Sequence, residues 1–99
     1  MEDKEYNGWK NWETWNLNLH LTNDAGTYDD MREFVKQGKF DGLDKYELAQ
    51  EFKDHVEEWI YDELEDSPDT LINLLIRDMV GAYLSEVDWL EITEAFLGE

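Results

Sequence analysis

The sequence predicts an all-α fold, a compact single domain of four to five helices with a long acidic third helix and a central apolar fourth helix. Apolar residues recur at intervals of three and four over most of the chain, and helix-capping residues precede those segments. Because 41% of the 99 residues are apolar, one core is feasible. We therefore expect residues 1–99 to form one domain, with residues 1–10 as an N-terminal arm that packs on the first helix.

The apolar residues of the first element are compatible with both a helix and a strand. Asn11 can cap a helix over residues 12 to about 21, which Asn23 and Asp24 would close. The leucines of WNLNLHL alternate as in a strand, whereas Trp12 and Trp15 recur with the period of a helix. A strand would need a partner, and no other segment offers one. A helix is therefore favoured, and a strand stays as the alternative.

Two further helices follow. The second is expected over residues 27 to about 37, with Asp29 and Asp30 in its first turn, Gly38 at its end and KFDGL as a loop. Asp44 and Glu47 have the spacing of a capping box and open the third helix. That helix can continue without interruption to about residue 65, a length of roughly 30 Å.

The fourth helix is predicted to begin at Ser67 as N-cap and Pro68 as first helical residue, and to end near residue 84. It is apolar over most of its circumference, so we expect it to be the central and most buried element.

The fifth helix is predicted from its face and its ends. Either Ser85 or Asp88 can cap it. Trp89, Ile92 and Phe96 share one face, and Gly98 ends the helix.

The polar side of the third helix carries a row of carboxylates at intervals of three and four residues. On a helical wheel they fall within about 80° of arc, opposite the apolar face centred on Phe52, Val56 and Trp59. We call this row the acidic ridge; its residues are Glu47, Glu51, Asp54, Glu58, Asp62 and Glu65. It extends over about 27 Å, a distance in which one strand of B-DNA presents about eight phosphates. Like charges at this spacing destabilise a helix, which favours a ridge that meets a basic partner over one that is merely solvated.

The overall charge restricts the partners. The chain has 26 acidic and 8 basic residues, a formal net charge of −18, which repels nucleic acid and anionic membranes and attracts basic proteins. No segment has the features of a signal peptide or a membrane span. The chain has no cysteine, which is compatible with a cytoplasmic protein and excludes thiolate chemistry. We expect a cytoplasmic protein with no direct nucleic-acid or membrane binding.

Catalytic and metal-binding patterns are missing. Glu51, His55 and Glu58 line one side of a helix turn, but no second helix supplies an E-x-x-H partner. His20 is the only other histidine, and no phosphate-binding loop or nucleophile motif occurs. We therefore expect no enzyme, no metal and no cofactor.

The segment YNGWKNWETW contains three of the five tryptophans. Asn7-Gly8 is a turn dipeptide that would fold Tyr6 and Trp9 back over the first helix. One interpretation is a hydrophobic lid in which Trp12 and Trp15 hold that helix on the core. The other is an exposed aromatic patch for a partner, formed by Tyr6, Trp9 and Trp12.

The same segment carries a family resemblance. The residues concerned are Tyr6, Asn7, Gly8, Trp9, Asn11, Glu13, Thr14, Trp15, Asn23 and Asp24. They resemble the motif Y-N-G-W-x-N-x-E-T-W followed by N-D, found in a family of short uncharacterised proteins of phages, plasmids and other prokaryotic genomes. The resemblance covers residues 6–24, and LSEVDWLEI at residues 84–92 is similar to a segment near the family's C-terminus. It implies an origin in a mobile element and no particular activity.

Two functions follow as hypotheses. The first is an inhibitor or decoy that occupies a basic nucleic-acid-binding surface of a host protein, such as a nuclease. It would act in the manner of DNA-mimic antirestriction or anti-CRISPR proteins, to which the likeness is compositional. The alternative is a non-enzymatic interaction or structural module that uses the aromatic patch. A homodimer through the aromatic surface is compatible with both, whereas the acidic ridge would repel its own copy.

Overall fold

The computed structural model describes residues 6–66 and 68–98, which form five α-helices and contain no strand beyond one isolated bridge. The helices are α1 (Trp12–Asn23), α2 (Ala25–Phe40), α3 (Lys45–Glu65), α4 (Leu71–Ser85) and α5 (Trp89–Leu97). The all-α prediction is confirmed, and the first element is a helix. Within the described ranges, no helix combines the length and the apolar character needed to cross a bilayer.

The core is built around α5, the shortest helix, which packs against α1, α2 and α3. Its predicted apolar face is confirmed, because Trp89, Ile92 and Phe96 are all buried. Phe52 of α3 is fully buried beside them, with its ring centroid 5.7 Å from that of Phe96 and 6.4 Å from that of Trp89. The core therefore forms where α3 and α5 meet.

Several helix ends have the predicted caps. The Asn11 side chain accepts a hydrogen bond from the Thr14 amide at the start of α1. Asp44 and Glu47 form both hydrogen bonds of the capping box, at 2.8 and 3.0 Å, and α3 then continues unbroken to Glu65. Asp88, rather than Ser85, caps α5.

The start of α1 is joined to the start of α5 through one buried hydroxyl. Thr14 Oγ1 donates to Asn11 Oδ1 at 2.6 Å and accepts from the Asp88 amide at 2.8 Å. The Asn11 side-chain amide also donates to the Glu86 carbonyl at 2.7 Å. The buried side chains of α1 are Thr14, Leu17 and Leu21. Trp12 and Trp15 are not among these buried side chains: Trp12 is exposed and Trp15 is partly buried.

The N-terminal arm reverses at the predicted turn. The backbones of Tyr6 and Trp9 exchange two hydrogen bonds of 2.9 and 2.7 Å. Asn7 and Gly8 between them have φ values of 48° and 89°, the left-handed conformations of a two-residue hairpin turn. The Tyr6 ring lies 5.0 Å from that of Trp15, so the arm packs on α1. Residues 1–5 of the predicted arm lie outside the described residues.

The second helix is longer than the sequence predicts at both ends. It begins at Ala25 after the N-cap Asp24, and it continues through Gly38 to Phe40. Gly38 does not end the helix because its role is packing: it is buried, and a Cβ there would collide with Leu48 Cδ1 of α3. The close approach of α2 and α3 thus accounts for a glycine that resembles a stop signal.

The fourth helix begins later than predicted. Thr70 is the N-cap, and its hydroxyl accepts a hydrogen bond from the Asn73 amide at 3.3 Å. Pro68 precedes the helix as a non-helical residue whose carbonyl accepts from the Asn73 side chain at 2.8 Å. Ser67, the predicted cap, lies outside the described residues.

The fourth helix is also not the central element, which corrects the prediction from its composition. Leu84 is its only buried residue among those described. Val80 and Tyr83 pack partly against the core, whereas the opposite side of the helix is open to solvent. The predicted central place belongs to α5, because its apolar face already fills the space between α1, α2 and α3.

Candidate functional site

The six residues of the acidic ridge all lie on α3 and are all exposed. The opposite side of the same helix buries Leu48, Phe52 and Val56. Burial of that side sets the rotation of α3 about its axis, so the carboxylates point away from the core. The capping box at the first turn and the unbroken helix from Lys45 to Glu65 keep them on one continuous element. The structure therefore brings the predicted ridge residues together.

The ridge is not neutralised by basic side chains of the described residues. The ion pairs there join Arg32 to Asp29, Lys36 to Glu33, Lys45 to Glu94 and Arg77 to Asp69. Within the ridge, Glu47 accepts from the Asp44 amide and Asp54 accepts from the neutral Gln50 side chain at 3.1 Å. The negative charge of the row is therefore available to a partner.

Lys45, the base nearest the start of the ridge, is directed elsewhere. Its Nζ lies 2.8 Å from Glu94 Oε2 of α5. The hydrogen bond and the charge of Glu94 raise the pKa of Lys45 above its ordinary value. This base ties α3 to α5, and Glu47 and Glu51 form no ion pair with a basic side chain of residues 6–66 or 68–98.

A groove between α2 and α3 adjoins the ridge and encloses about 710 Å³. Ridge residues Glu58 and Asp62 line it from α3, and Asp30 and Glu33 line it from α2. The apolar lining consists of Met31, Phe34 and Trp59. Carboxylates and aromatic faces together suit a guanidinium or ammonium group, which gains charge-assisted hydrogen bonds and cation–π contact.

Aromatic side chains of this groove have defined positions. The His55 ring stacks on Phe34 with centroids 4.4 Å apart and planes at 19°. The Trp59 indole donates to Glu63 Oε2 at 2.8 Å, and its ring is 41% exposed. Trp59 was predicted in the centre of the buried face, but Val56 is the last fully buried residue of α3. Trp59 therefore presents its ring to the groove.

Sequence reasoning missed the α2 side of this groove. Asp30 and Glu33 lie three residues apart on α2, the spacing of one helix face, with Phe34 beside them. That spacing was a detectable signal, but which face of α2 meets α3 depends on the tertiary packing.

Glu51, His55 and Glu58, the helix turn that was considered as a metal site and set aside, form a local cluster. They line one shallow pocket together with Phe34 and Asp54. No group of three or more metal-ligating side chains with suitable placement occurs within residues 6–66 and 68–98.

The three residues of the predicted aromatic patch have different surroundings. Tyr6 is partly exposed and contacts Trp15. Trp9 is half-buried and packs against the core. Trp12 is 43% exposed and meets Tyr83 of α4 edge-on, with centroids 5.7 Å apart. Each ring thus has its own intramolecular contact.

Comparisons with known proteins identify a family but no activity. Residues 2–94 match the model of a family of unknown function, DUF7249. No curated protein matches the chain. No solved structure matches it either.

Proposed function

We propose that this chain, which belongs to the DUF7249 family of unknown function, is a non-enzymatic inhibitor or decoy that occupies a basic nucleic-acid-binding surface of a host protein. The observation that carries the proposal is the row of six exposed carboxylates on one unbroken helix, with no ion pair to the described basic residues. We further propose that the protein originates from a phage or plasmid and acts in the cytoplasm on a host nuclease or a similar protein.

The proposed mechanism is competition by charge. The ridge carboxylates would take the places of phosphates along a basic groove, and binding would displace the counterions of both surfaces. A field of net charge −18 would also accelerate the encounter with a basic protein. Affinity should then decrease steeply with salt.

The groove beside the ridge supplies a second element of recognition. An arginine or lysine of the partner could enter between α2 and α3, where Glu58 and Asp62 flank one side and Trp59 provides an aromatic face. Such a contact depends on shape as well as charge. It would distinguish this surface from a polyanion without structure.

The test is capture of partners from a prokaryotic host lysate by the immobilised chain. We expect a nucleic-acid-binding protein that is retained at about 50 mM salt, released at about 200 mM, and displaced by duplex DNA. The double variant Glu51→Lys/Glu58→Lys should no longer capture this protein, because two positive charges interrupt the row.

The control variant Asp41→Lys/Glu86→Lys changes the net charge by the same amount outside the ridge. Asp41 and Glu86 are the C-cap residues of α2 and α4, where a lysine is compatible with the helix dipole. Capture should survive in this variant. If both double variants behave alike, or if duplex DNA does not displace the captured protein, the decoy function is wrong.

A second candidate is an interaction or structural module that uses the aromatic N-terminal segment. It is favoured by the exposure of Tyr6 and Trp12, two side chains frequent in binding hot spots. Tyr6→Ala and Trp12→Ala would then abolish capture while the ridge variants would not.

A further inference from the structure

The outer side of α4 is an apolar surface with no intramolecular partner among the described residues. Its most exposed side chains are Leu71 (75%), Ile72 (64%), Leu74 (45%), Leu75 (48%) and Met79 (63%). We call these five residues the α4 face. They cover roughly 160° of the helix circumference, and Asp78 is the one charged residue among them.

The α4 face is large for an exposed apolar patch. Its exposed side chains amount to on the order of 600 Å², at the upper end of the largest apolar patch on typical monomers. Two such faces in full contact would remove at most about 1,200 Å² from water, the lower limit of a stable, specific interface.

A small number of specific contacts orient α4 and place the α4 face outward. Tyr83 Oη donates to Asn16 Oδ1 of α1 at 2.7 Å. Arg77 donates to the Leu64 carbonyl at 2.9 Å and pairs with Asp69 at 2.9 Å. Leu84 is buried in the core on the same side. These contacts attach one side of α4 to α1 and α3 and leave the opposite side to solvent.

The distribution of charge indicates what covers the α4 face. Arg77 and Asp78 are the only acidic or basic residues of α4, so the helix has no net charge in a chain with a net charge of −18. A basic partner would be drawn to the acidic surfaces instead. Two copies of this chain should repel each other least through the α4 face, which carries a single carboxylate, Asp78, in a chain with a net charge of −18. A second copy is therefore the occupant that fits.

The geometry also suits self-association. Leu71, Leu75 and Met79 follow one another at intervals of four residues, a ridge of the type that packs between crossing helices. A two-fold axis near Leu75, the middle residue, would place Leu71 of one copy against Met79 of the other. The two copies of Asp78 would then be about 9 Å apart along the helix direction alone, which limits their repulsion.

We propose that the protein is a homodimer whose two-fold interface is formed by the α4 faces, packed antiparallel around Leu75. This inference does not depend on the decoy function, because it rests on a different helix and on apolar contact. The dimer leaves the exposed row on α3 outside the α4 faces and provides two such rows per particle.

Sedimentation velocity of the full chain over a wide concentration range tests the interface. We expect the wild type to have twice the mass of the chain. Ile72→Glu/Met79→Glu should raise the dissociation constant by at least about 100-fold, with an unchanged helical circular dichroism spectrum. The control Phe40→Glu/Tyr46→Glu adds the same two charges at apolar positions that are 84% and 65% exposed on α2 and α3, and it should stay dimeric.

A second variant tests the geometry without added charge. The chain has no cysteine, so Leu75→Cys introduces a single thiol beside the proposed axis. Mild oxidation should convert it to a disulfide-linked dimer, whereas Phe40→Cys should stay largely monomeric. A monomeric wild type, a dimer that survives Ile72→Glu/Met79→Glu, or equal cross-linking at both cysteines would each overturn the proposal. If the wild type is monomeric, the partner that covers the α4 face would be a different protein.

Discussion

Gly38 lies inside α2, where its missing Cβ leaves room for the Leu48 side chain of α3. Thr14 is fully buried in α1. Its hydroxyl donates a hydrogen bond to Asn11, the N-cap of α1, and accepts one from the backbone amide of Asp88, the N-cap of α5. Both are small residues whose importance depends on a neighbour far away in the sequence. At the scale of single residues, they connect α2 to α3 and α1 to α5.

Gly38→Ala should destabilise the fold by about 1–3 kcal/mol, the usual effect of overpacking, because the new methyl group would displace Leu48. Urea denaturation followed by circular dichroism measures the change. Gly26→Ala is the matched control in the same helix, since a Cβ there would meet only Asp24 Oδ2 at an ordinary 3.5 Å. It should be neutral or stabilise by up to about 1 kcal/mol through helix propensity.

Thr14→Val preserves the shape of the side chain but removes the hydroxyl. The Asp88 amide would then lack its partner in a partly buried site, at a cost of about 1–3 kcal/mol in unfolding free energy. Thr22→Val is the control, because the Thr22 hydroxyl donates only to carbonyls of its own helix. Equal losses in the two variants would contradict a special role of the link between α1 and α5.

At the scale of helices, α4 differs from the others. It contributes one buried residue, Leu84, and polar contacts through Tyr83 and Arg77 secure much of its attachment. Partial burial, and then the nearby charge of Glu13, raise the pKa of Tyr83 to about 12. The attachment of α4 should therefore weaken at alkaline pH, where the Tyr83 phenol ionises.

The direction of this pH dependence follows from the raised pKa of Tyr83. Folding favours the neutral phenol, so the contribution of Tyr83 to stability is complete below its ordinary pKa of 10.0 and is lost as the pH rises toward about 12. Tyr83→Phe should be less stable at neutral pH by about 0.5–1.5 kcal/mol for the lost hydrogen bond. The stability difference between wild type and variant should shrink between pH 10 and about 12. Urea midpoints at several pH values measure it; a constant difference would contradict this role.

At the scale of the whole molecule, repulsion among carboxylates opposes folding. The net charge is −18, and the ridge places like charges four residues apart on α3. Salt screens such exposed charges, so the free energy of unfolding should rise with ionic strength. The same ridge that is proposed to bind a partner thus reduces the stability of its own helix.

Glu58→Gln tests this cost directly. Glu58 has ridge neighbours four residues away on both sides, so neutralising it should stabilise the fold by about 0.2–0.5 kcal/mol per relieved pair. Glu33→Gln is the control, because Glu33 lies 3.8 Å from Lys36 and has a compensating cation. Urea titrations at low salt compare the two variants. A loss of stability in Glu58→Gln would show that the ridge is balanced by its surroundings.

Local signals in the sequence determined the all-α class, the capping residues of α1 and α3, the length of α3 and the alignment of the ridge, and they narrowed the cap of α5 to Ser85 or Asp88. These features depend on residues within four positions of each other, through hydrogen bonds and side-chain periodicity. The apolar face of α5 was determined in the same way.

Only the tertiary structure decided which helices are buried in the core. The apolar circumference of α4 made it the expected centre, but α5 fills that space and leaves Leu71 and Ile72 in solvent. Gly38 is a packing residue only because Leu48 lies against it, and the groove exists only because α2 turns Phe34 and Glu33 toward α3. Composition determines which surface of a helix is apolar, whereas burial depends on which other helices reach the same space.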